Sequence, residues 1–161
     1  MMDASPHPAT IEDLKLLIRV LNEAHAQYLL IGGYALYAHG YHRATEDIDI
    51  LIPCNRDAGE TVRRALMNLP DKAAAEINLD WIEKGENVRI VDTFVVDLLM
   101  HACGETYESL QQYRESVDLD GIPVATLNID GLIKTKQSAR AKDIQDRLIL
   151  EKALEQLKRD K

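Results

Sequence analysis

Three aspartates stand out in this chain because of the apolar residues around them. Asp47 and Asp49 are separated by one isoleucine, and Asp97 interrupts the apolar run 94–100. Side chains alternate along a β-strand, so Asp47 and Asp49 should project from one face while their isoleucine neighbours point into a core. Carboxylates this close repel each other unless a cation lies between them, and Mg²⁺ prefers such oxygen ligands. The pattern therefore indicates a site for divalent cations.

Each of these acids has an ordinary alternative. An isolated Asp-x-Asp pair is common on surface strands and in turns, where its carboxylates are solvated. For Asp97 the alternative is an ion pair with Arg89 or Lys136, because an unpaired carboxylate is expensive to bury in an apolar strand. A metal ion shared by all three acids would relieve their charges together, and we favour that interpretation.

A glycine turn precedes the acids. Gly32 and Gly33 follow the apolar segment 28–31, and the residues after them predict a short helix over 34–39 that Gly40 can end in the left-handed conformation. Backbone N–H groups at such a strand-to-helix turn can bind phosphate groups, and the helix dipole favours the anion. The alternative is that the two glycines merely permit a sharp turn.

This combination resembles the signature of the nucleotidyltransferase superfamily with the DNA polymerase β-like fold. The resemblance is carried by Gly32-Gly33, thirteen intervening residues, the Asp47-Ile-Asp49 segment, and Asp97 in an apolar strand. The segment 132–146 resembles the closing motif of small bacterial members akin to the AbiEii toxin of toxin–antitoxin and phage-defence systems. Many superfamily members have Ser where this chain has Gly33, so phosphate binding here would depend on the backbone.

The resemblance implies a Mg²⁺-dependent transfer of NMP from an NTP to a hydroxyl group. Asp47, Asp49 and Asp97 would be the catalytic residues and would bind two Mg²⁺ ions, with Asp97 on the ion that activates the acceptor hydroxyl. Asp97 could also take the proton of that hydroxyl, directly or through water. Gly32 and Gly33 would bind the β- and γ-phosphates.

Four further residues are predicted to bind the nucleotide. By the same resemblance Lys136 meets the triphosphate, and Arg140 or Lys142 steadies the site by pairing with Asp146 or with a phosphate. Arg43 and Thr45 lie just before the aspartates and are predicted to touch the nucleotide. Lys136 and Arg140 would share one face of a helix with Asp143 if that helix is continuous, and the alternative is a series of surface ion pairs that stabilise little.

The acceptor and the partners are predicted chiefly from the resemblance. We expect an RNA end, such as that of tRNA, and a protein acceptor is the competing choice. A cognate antitoxin or toxin is a further expected partner. The alternative function is a non-catalytic nucleotide-binding or antitoxin module that retains the fold. The presence of all three acids favours the enzyme.

Length and composition narrow the class of protein. The 161 residues fit one domain over 1–161, and 46% hydrophobic with 29% charged residues is ordinary for a globular protein. No segment approaches the roughly 18 apolar residues of a membrane span. Residues 1–9 lack the basic and apolar regions of a signal peptide, so we expect a cytoplasmic protein without membrane partners. Two cysteines are too few for a disulfide framework.

Charge is distributed unevenly along the chain. The formal net charge is −8, which argues against a protein that coats nucleic acid by electrostatics alone. Residues 131–161 contain nine Lys and Arg against five Asp and Glu, a balance of +4, which leaves −12 for residues 1–130. The basic segment could place phosphate-binding cations opposite the acids, and the alternative is a solvated lysine-rich helix.

The elements that must position these residues alternate between helix and strand. The apolar spacing predicts helices over 11–21, 34–39, 58–69 and 107–114, a helical segment over about 129–161 with a break near 140–143, strands over 28–31, 47–52, 77–81, 88–91 and 94–100, and a hairpin over 117–124 that turns at Asp120-Gly121. This order indicates an α/β (α+β) protein with a small mixed sheet flanked by helices.

Overall fold

The computed structural model describes residues 6–42 and 45–160. Within these residues the chain forms six α-helices and eight β-strands. The helices are α1 (Ile11–Glu23), α2 (Gly33–Ala38), α3 (Arg56–Leu66), α4 (Leu79–Glu83), α5 (Ile129–Lys134) and α6 (Ala141–Arg159). The strands are β1 (Leu29–Ile31), β2 (Ile48–Leu51), β3 (Val88–Val91), β4 (Val95–Leu99), β5 (His101–Ala102), β6 (Glu105–Thr106), β7 (Arg114–Leu119) and β8 (Ile122–Leu127).

Six of the strands form one mixed sheet in the order β3-β4-β2-β1-β8-β7. At its centre β2 is parallel to β4 and antiparallel to β1, and β1 is parallel to β8. The outer pairs, β3–β4 and β7–β8, are antiparallel hairpins. The strands β5 and β6 form a separate two-stranded sheet. The predicted fold class, a mixed sheet flanked by helices, is confirmed.

Local signals in the sequence explain where several elements begin and end. Thr10 and Asp13 form a complete capping box at the start of α1, with each side chain accepting a hydrogen bond from the other residue's backbone N–H. Gly40 has a φ of +93° just after α2, as a helix-ending glycine should. Asp120 and Gly121, both with positive φ, make the tight turn between β7 and β8.

The residues around the paired aspartates follow the predicted alternation. Ile48 and Ile50 are fully buried in the core beneath the sheet, whereas Asp49 between them is partly exposed. Asp47 lies immediately before β2 and is also partly exposed. Burial of the isoleucines fixes which way the strand faces, so the carboxylates are turned to the other side of the sheet.

The predicted strand over 77–81 is wrong. Leu79 to Glu83 form the short helix α4, because Asn78 caps it by accepting a hydrogen bond from the N–H of Asp80. Leu79 and Ile82, three positions apart, are buried, while Trp81 is 41% exposed. The buried apolar residues of this segment therefore follow the spacing of a helix and not the two-residue period of a strand.

The predicted helix over 107–114 is also wrong. The segment consists of turns and a 3₁₀ helix at Gln111–Tyr113, and β7 begins at Arg114. The hydroxyl of Ser109 accepts from the N–H of Thr106 while the N–H of Ser109 donates to the hydroxyl of Thr106. These local side-chain hydrogen bonds satisfy the backbone without an α-helix.

The C-terminal segment is divided earlier than predicted. Helix α5 ends at Lys134 and α6 begins at Ala141, so the break spans 135–140 rather than 140–143. Lys136 and Arg140 consequently lie in the connection between two helices, not on one continuous helix face. We call residues 135–140 the α5–α6 connection.

A candidate active site on one face of the sheet

Strand register brings the acids together in one row across the sheet. Asp97 on β4 is paired with Asp49 on β2, and Asp49 is paired with Ile31 on β1. On the outer side, Arg89 of β3 is paired with Asp97. Residues directly opposite each other on neighbouring strands place their side chains on the same face. Two carboxylates and one guanidinium therefore lie side by side across β2, β4 and the edge strand β3.

Arg89 pairs with two of the three acids. Its Nη2 group donates to Asp47 Oδ2 at 2.9 Å, and its Nε atom lies 3.1 Å from Asp97 Oδ1. Burial raises the pKa of Asp97, and the guanidinium of Arg89 opposes that shift. The ion pair that the sequence suggested as the alternative partner of Asp97 is thus present, and it includes Asp47 as well.

Asp49 has a different electrostatic environment. Burial, with smaller contributions from the charges of Asp97 and Asp47, raises the pKa of its carboxyl to about 6, although Lys136 and Arg140 oppose the shift. Among the described residues no cation lies within ion-pair distance of Asp49. The carboxylate of Asp49 is therefore the part of the row where negative charge is least compensated.

The glycine turn packs directly onto this carboxylate. Gly32 has a φ of +75° at the start of α2. A Cβ atom built on Gly32 would overlap Asp49 Oδ2 and would lie 3.0 Å from its Cγ. The absence of a side chain at Gly32 thus allows the turn to approach the carboxylate closely.

Replacing Gly32 by alanine is expected to lower the free energy of unfolding by about 2–4 kcal/mol, because the new methyl group would suffer both backbone strain and overlap with Asp49. Gly40→Ala is the matched control, since Gly40 also has a positive φ but no described atom lies within 4 Å of its Cβ position. Chemical denaturation of both variants measures the difference. Equal losses would mean that Asp49 simply moves aside.

The pH dependence of stability should carry the signature of Asp49. The pKa of Asp49 is about 6 in the folded state and near 3.8 in the unfolded state, so the folded state binds the proton more tightly. The contribution of Asp49 to the free energy of unfolding is therefore fully present below pH 4 and is lost as the pH rises through 6. We expect the cation-free Asp49→Asn variant to be more stable than wild type at pH 7 by about 2–3 kcal/mol, with the difference vanishing near pH 4.

Asp80→Asn supplies a control of opposite sign for that measurement. Arg56 lowers the pKa of Asp80 through a hydrogen bond, so the charged form is favoured in the folded state. Asp80→Asn should therefore be less stable than wild type at pH 7. Denaturation curves collected from pH 4 to pH 8 compare the three proteins, and a stability difference for Asp49→Asn that does not change over this range would contradict the assignment.

The α5–α6 connection is held over the row by a buried ionic cluster. Lys136, with a side chain 8% exposed, pairs with the fully buried Asp146 at 3.0 Å and lies 3.7 Å from Asp143. Asp143 also accepts a hydrogen bond from the hydroxyl of Ser138. The Arg147 guanidinium donates to the backbone carbonyl groups of Lys136 and Ser138. These ion pairs are buried, so the surface interpretation of the C-terminal charges is wrong for this cluster.

Two cavities meet at the row of charges. The larger, which we call the β4 cavity, has a volume of about 490 Å³ and extends past Asn87, Leu99 and His101. The smaller, which we call the turn cavity, has a volume of about 280 Å³ and extends past Gly33 and Thr45. Both are lined by Asp49, Asp97, Arg89, Lys136 and Arg140. A molecule in either cavity would therefore contact the acids and the same three cations.

Most of the residues predicted from the sequence surround these cavities. Gly32 lines the β4 cavity, and Gly33, Thr45 and Asp47 line the turn cavity. The hydroxyl of Thr45 lies 3.4 Å from the carbonyl of Asp47. Arg43 lies outside the described residues. Lys142, which the sequence offered as a possible partner of phosphate, lines the turn cavity as well.

Some residues of the site had no signal in the sequence. Asn87 and His101 line the β4 cavity, yet each lies in a segment without a recognisable motif. The sequence did suggest Asp143 and Asp146 as neighbours of the C-terminal cations, but it did not indicate that Asp146 pairs with Lys136 or that both acids are buried, because an acidic residue on a lysine-rich helix normally indicates a solvated face. Only their contact with a buried lysine distinguishes them.

Carboxylate oxygens are suitable ligands for a hard divalent cation, but the carboxylates of this site are not already arranged as a metal site. Three carboxylates share one face, and burial together with the charges of Asp97 and Asp47 raises the pKa of Asp49, as expected for carboxylates grouped without a cation between them. Within 6–42 and 45–160, however, no three acidic, histidine or cysteine side chains are arranged as a metal site. Arg89 is ion-paired with Asp47 and Asp97, which are two of the carboxylates that a divalent cation would need as ligands. The residues fit Mg²⁺ in chemistry, and binding would require Arg89 to move.

Two solved structures share the fold described above. A candidate nucleotidyltransferase from Thermotoga maritima superposes with a TM-score of 0.55, over 94% of this chain and 93% of its own, at 14% sequence identity. The antibiotic-resistance factor ANT(2″)-Ia, described in solution with substrate-regulated conformation dynamics, superposes with a TM-score of 0.57, over 89% of this chain and 83% of its own, at 14% identity. The chain therefore has a nucleotidyltransferase fold.

The likeness is one of structure rather than of sequence. No protein-family model matches the chain, and no curated protein matches it in sequence. The sequence resemblance to nucleotidyltransferases is thus supported at the level of the fold, and the likeness to AbiEii-type members stays a prediction. No helix in the described part of the chain is long and apolar enough to cross a membrane.

Proposed function

We propose that this protein is a nucleotidyltransferase that moves NMP from an NTP to a hydroxyl group of an acceptor. The observation that carries the proposal is the cross-strand register of Asp49 and Asp97, which sets them side by side next to the Gly32 turn. The same fold is found in the two solved structures described above. Three carboxylates that border cavities of about 490 and 280 Å³ together with cationic side chains suit a reaction in which charge develops on phosphate oxygens.

The cations of the site have a binding role in this proposal. Lys136 and Arg140 line both cavities, so either can face the triphosphate of a bound NTP. Gly33, at the start of α2, lines the turn cavity, and in this proposal its backbone N–H donates to a phosphate oxygen. Together they would neutralise and orient the triphosphate with the α-phosphorus close to the acids.

The acids supply the remaining functions. Asp47, Asp49 and Asp97 would hold divalent cations, which when bound stabilise the attacking and leaving oxygens of an in-line displacement. Asp97 borders both cavities and would also accept the proton of the acceptor hydroxyl. The raised pKa of Asp97 makes it a stronger base than an exposed aspartate.

We further propose that the acceptor is an RNA end and that the protein acts in a toxin–antitoxin or phage-defence setting. Support comes from the sequence resemblance of the closing segment and from the +4 balance of residues 131–161. An RNA end needs only local phosphate contacts, which is compatible with an acidic body. The second candidate is a non-catalytic nucleotide-binding module, and the neutralisation of Asp47 and Asp97 by Arg89 favours it.

The test is incubation of the purified protein with each α-labelled NTP and Mg²⁺, together with total RNA or total protein from bacteria. Label that enters RNA and is removed by ribonuclease supports the full proposal. Label that appears only in a protein band and survives ribonuclease retains the transferase and replaces the acceptor. NTP binding without any labelled product under all conditions would favour the non-catalytic module.

A further inference from the structure

Arg89 has a position that ordinary surface arginines do not have. It lies on β3, the edge strand of the sheet, directly opposite Asp97 on β4. From there its side chain reaches Asp47 at the start of β2, so that one guanidinium contacts carboxylates from two other strands. It also borders both cavities of the candidate site. Any cation entering the row of acids must therefore approach Arg89.

Arg56 provides a comparison because it also bridges two carboxylates. Its Nη1 group donates to Asp80 at 2.8 Å and to Glu83 at 3.0 Å, and all three side chains are about half exposed. A solvated bridge of this kind stabilises a protein little. Arg89 itself is 58% exposed, but the two carboxylates that it holds are only 35% and 19% exposed, and they belong to the candidate site. The Arg89 bridge is thus built into a functional surface.

The oxygens that Arg89 contacts are the ones that a divalent cation would use. Mg²⁺ is usually bound through one or two carboxylates at about 2.1 Å, with water completing its shell. The lone pairs of Asp47 Oδ2 and of the Asp97 oxygens that accept hydrogen bonds from the guanidinium are not free to bind a metal ion until Arg89 withdraws from them. The two cations are therefore alternative occupants of these carboxylates.

We propose that Arg89 is a positioning residue that competes with the divalent cation for Asp47 and Asp97. In the cation-free protein its guanidinium holds the two carboxylates on the site and limits their repulsion from Asp49. When the cation binds, the guanidinium leaves them. This inference rests on the proposed cation-dependent transfer. If it holds, Arg89 determines how tightly the site binds the cation.

Competition of this kind predicts a measurable change in affinity. The apparent affinity for the cation equals the intrinsic affinity multiplied by the fraction of molecules in which Arg89 is withdrawn from the carboxylates. If about one molecule in ten is withdrawn, Arg89→Met should bind the cation about ten-fold more tightly than wild type. Arg89→Lys keeps the charge but loses the planar group that holds both carboxylates, so its affinity should also exceed that of wild type.

The experiment measures Mn²⁺ binding to the nucleotide-free protein by electron paramagnetic resonance of the free ion, which requires no transfer activity. Arg140→Met is the control for charge, because Arg140 borders the same cavities but pairs with Asp143 instead. We expect Arg140→Met to change Mn²⁺ affinity much less than Arg89→Met. Melting curves establish that each variant is folded, and Arg89→Met should gain more in Tm from added Mn²⁺ than wild type gains.

Three results would overturn the inference. Equal Mn²⁺ affinities for wild type, Arg89→Met and Arg89→Lys would show that the guanidinium does not compete, while transfer of labelled NMP by the wild type would leave the proposed function standing. An equal gain in Arg140→Met would show a general effect of charge. Absence of Mn²⁺ binding in every variant would contradict the proposed competition. It would also contradict the proposed function only if the labelling assay gave no product.

Discussion

The Asp97→Asn variant is expected to lose nucleotidyl transfer by about 10²–10⁴-fold while it remains folded. Asparagine has nearly the same shape as aspartate, but it cannot accept the proton of the acceptor hydroxyl and it binds cations weakly. The fold should be retained because burial already raises the pKa of Asp97, so the negative charge is not needed for stability. Arg89 keeps its contact with Asp47 in the variant.

The measurement is incorporation of labelled NMP by wild type and variant, with Tm recorded for both. Asp80→Asn is the matched control, since it also removes a carboxylate paired with an arginine, but on the exposed surface near Arg56. Asp80→Asn should retain full activity. If the transfer rate of Asp97→Asn is within a few-fold of that of wild type, Asp97 takes no part in the reaction, and the proposed role of the three acids is contradicted.

Lys136→Met is expected to lower the free energy of unfolding by about 3–5 kcal/mol. Methionine fills a similar volume, but the ammonium group that pairs with Asp146 and lies near Asp143 is lost. Both carboxylates are almost fully buried, and a buried charge that loses its partner is destabilising. Loss of the lysine therefore affects the α5–α6 connection as well as the nucleotide-binding surface.

A double-mutant cycle separates the ion pair from general loss of packing. Adding Asp146→Asn to Lys136→Met should restore a large part of the stability, because the second change removes the buried charge whose pair with Lys136 the first change broke. Lys15→Met, which breaks a pair with the exposed Asp120, should cost less than about 1 kcal/mol. A small effect of Lys136→Met, or strict additivity with Asp146→Asn, would contradict the assignment of a buried pair.

The coupling of stability and binding at Lys136 matters for interpreting its role. If Lys136→Met loses activity, some of that loss will reflect a displaced connection rather than a missing phosphate contact. Activity should therefore be compared with that of Asp146→Asn, which retains the lysine but weakens its support. A nucleotide affinity that falls in Lys136→Met and persists in Asp146→Asn would indicate direct contact with phosphate.

The sequence was sufficient for the parts of the site that depend on local periodicity. Alternation along β2 placed Asp47 and Asp49 on the face opposite the buried isoleucines, and the glycines marked the turn before α2. The hairpin at Asp120-Gly121 followed from turn chemistry alone. In each case the deciding interactions lie within a few residues of one another.

The sequence could not supply the arrangement of strands relative to each other. Asp97 lies beside Asp49 because β4 is the parallel neighbour of β2, and Arg89 reaches Asp97 because of the β3–β4 register. An alternating strand has the same pattern whichever strand it pairs with. Arg89 could therefore be suggested as one of two partners of Asp97, but its second contact with Asp47 could not be anticipated.

In the C-terminal segment the sequence failed to predict where a helix ends. The spacing of Lys136, Arg140 and Asp143 suits one helix face, yet α5 ends before the first of them. The hydroxyl of Thr135 donates to the carbonyl of Leu132 and satisfies the end of that helix. Periodicity does not reveal such an end when no glycine or proline marks it.

The parallel pairing of β2 with β4 has a consequence for how the protein folds. The β3–β4 and β7–β8 hairpins join neighbouring stretches of chain and can form early, whereas β2 and β4 are separated by α3, α4 and β3. Pairing of strands so distant in sequence requires closure of a long loop, which slows folding. Asp49 and Asp97 are brought together only by this long-range pairing, so a substitution that weakens the contact between β2 and β4 should disturb the candidate site and slow folding at the same time.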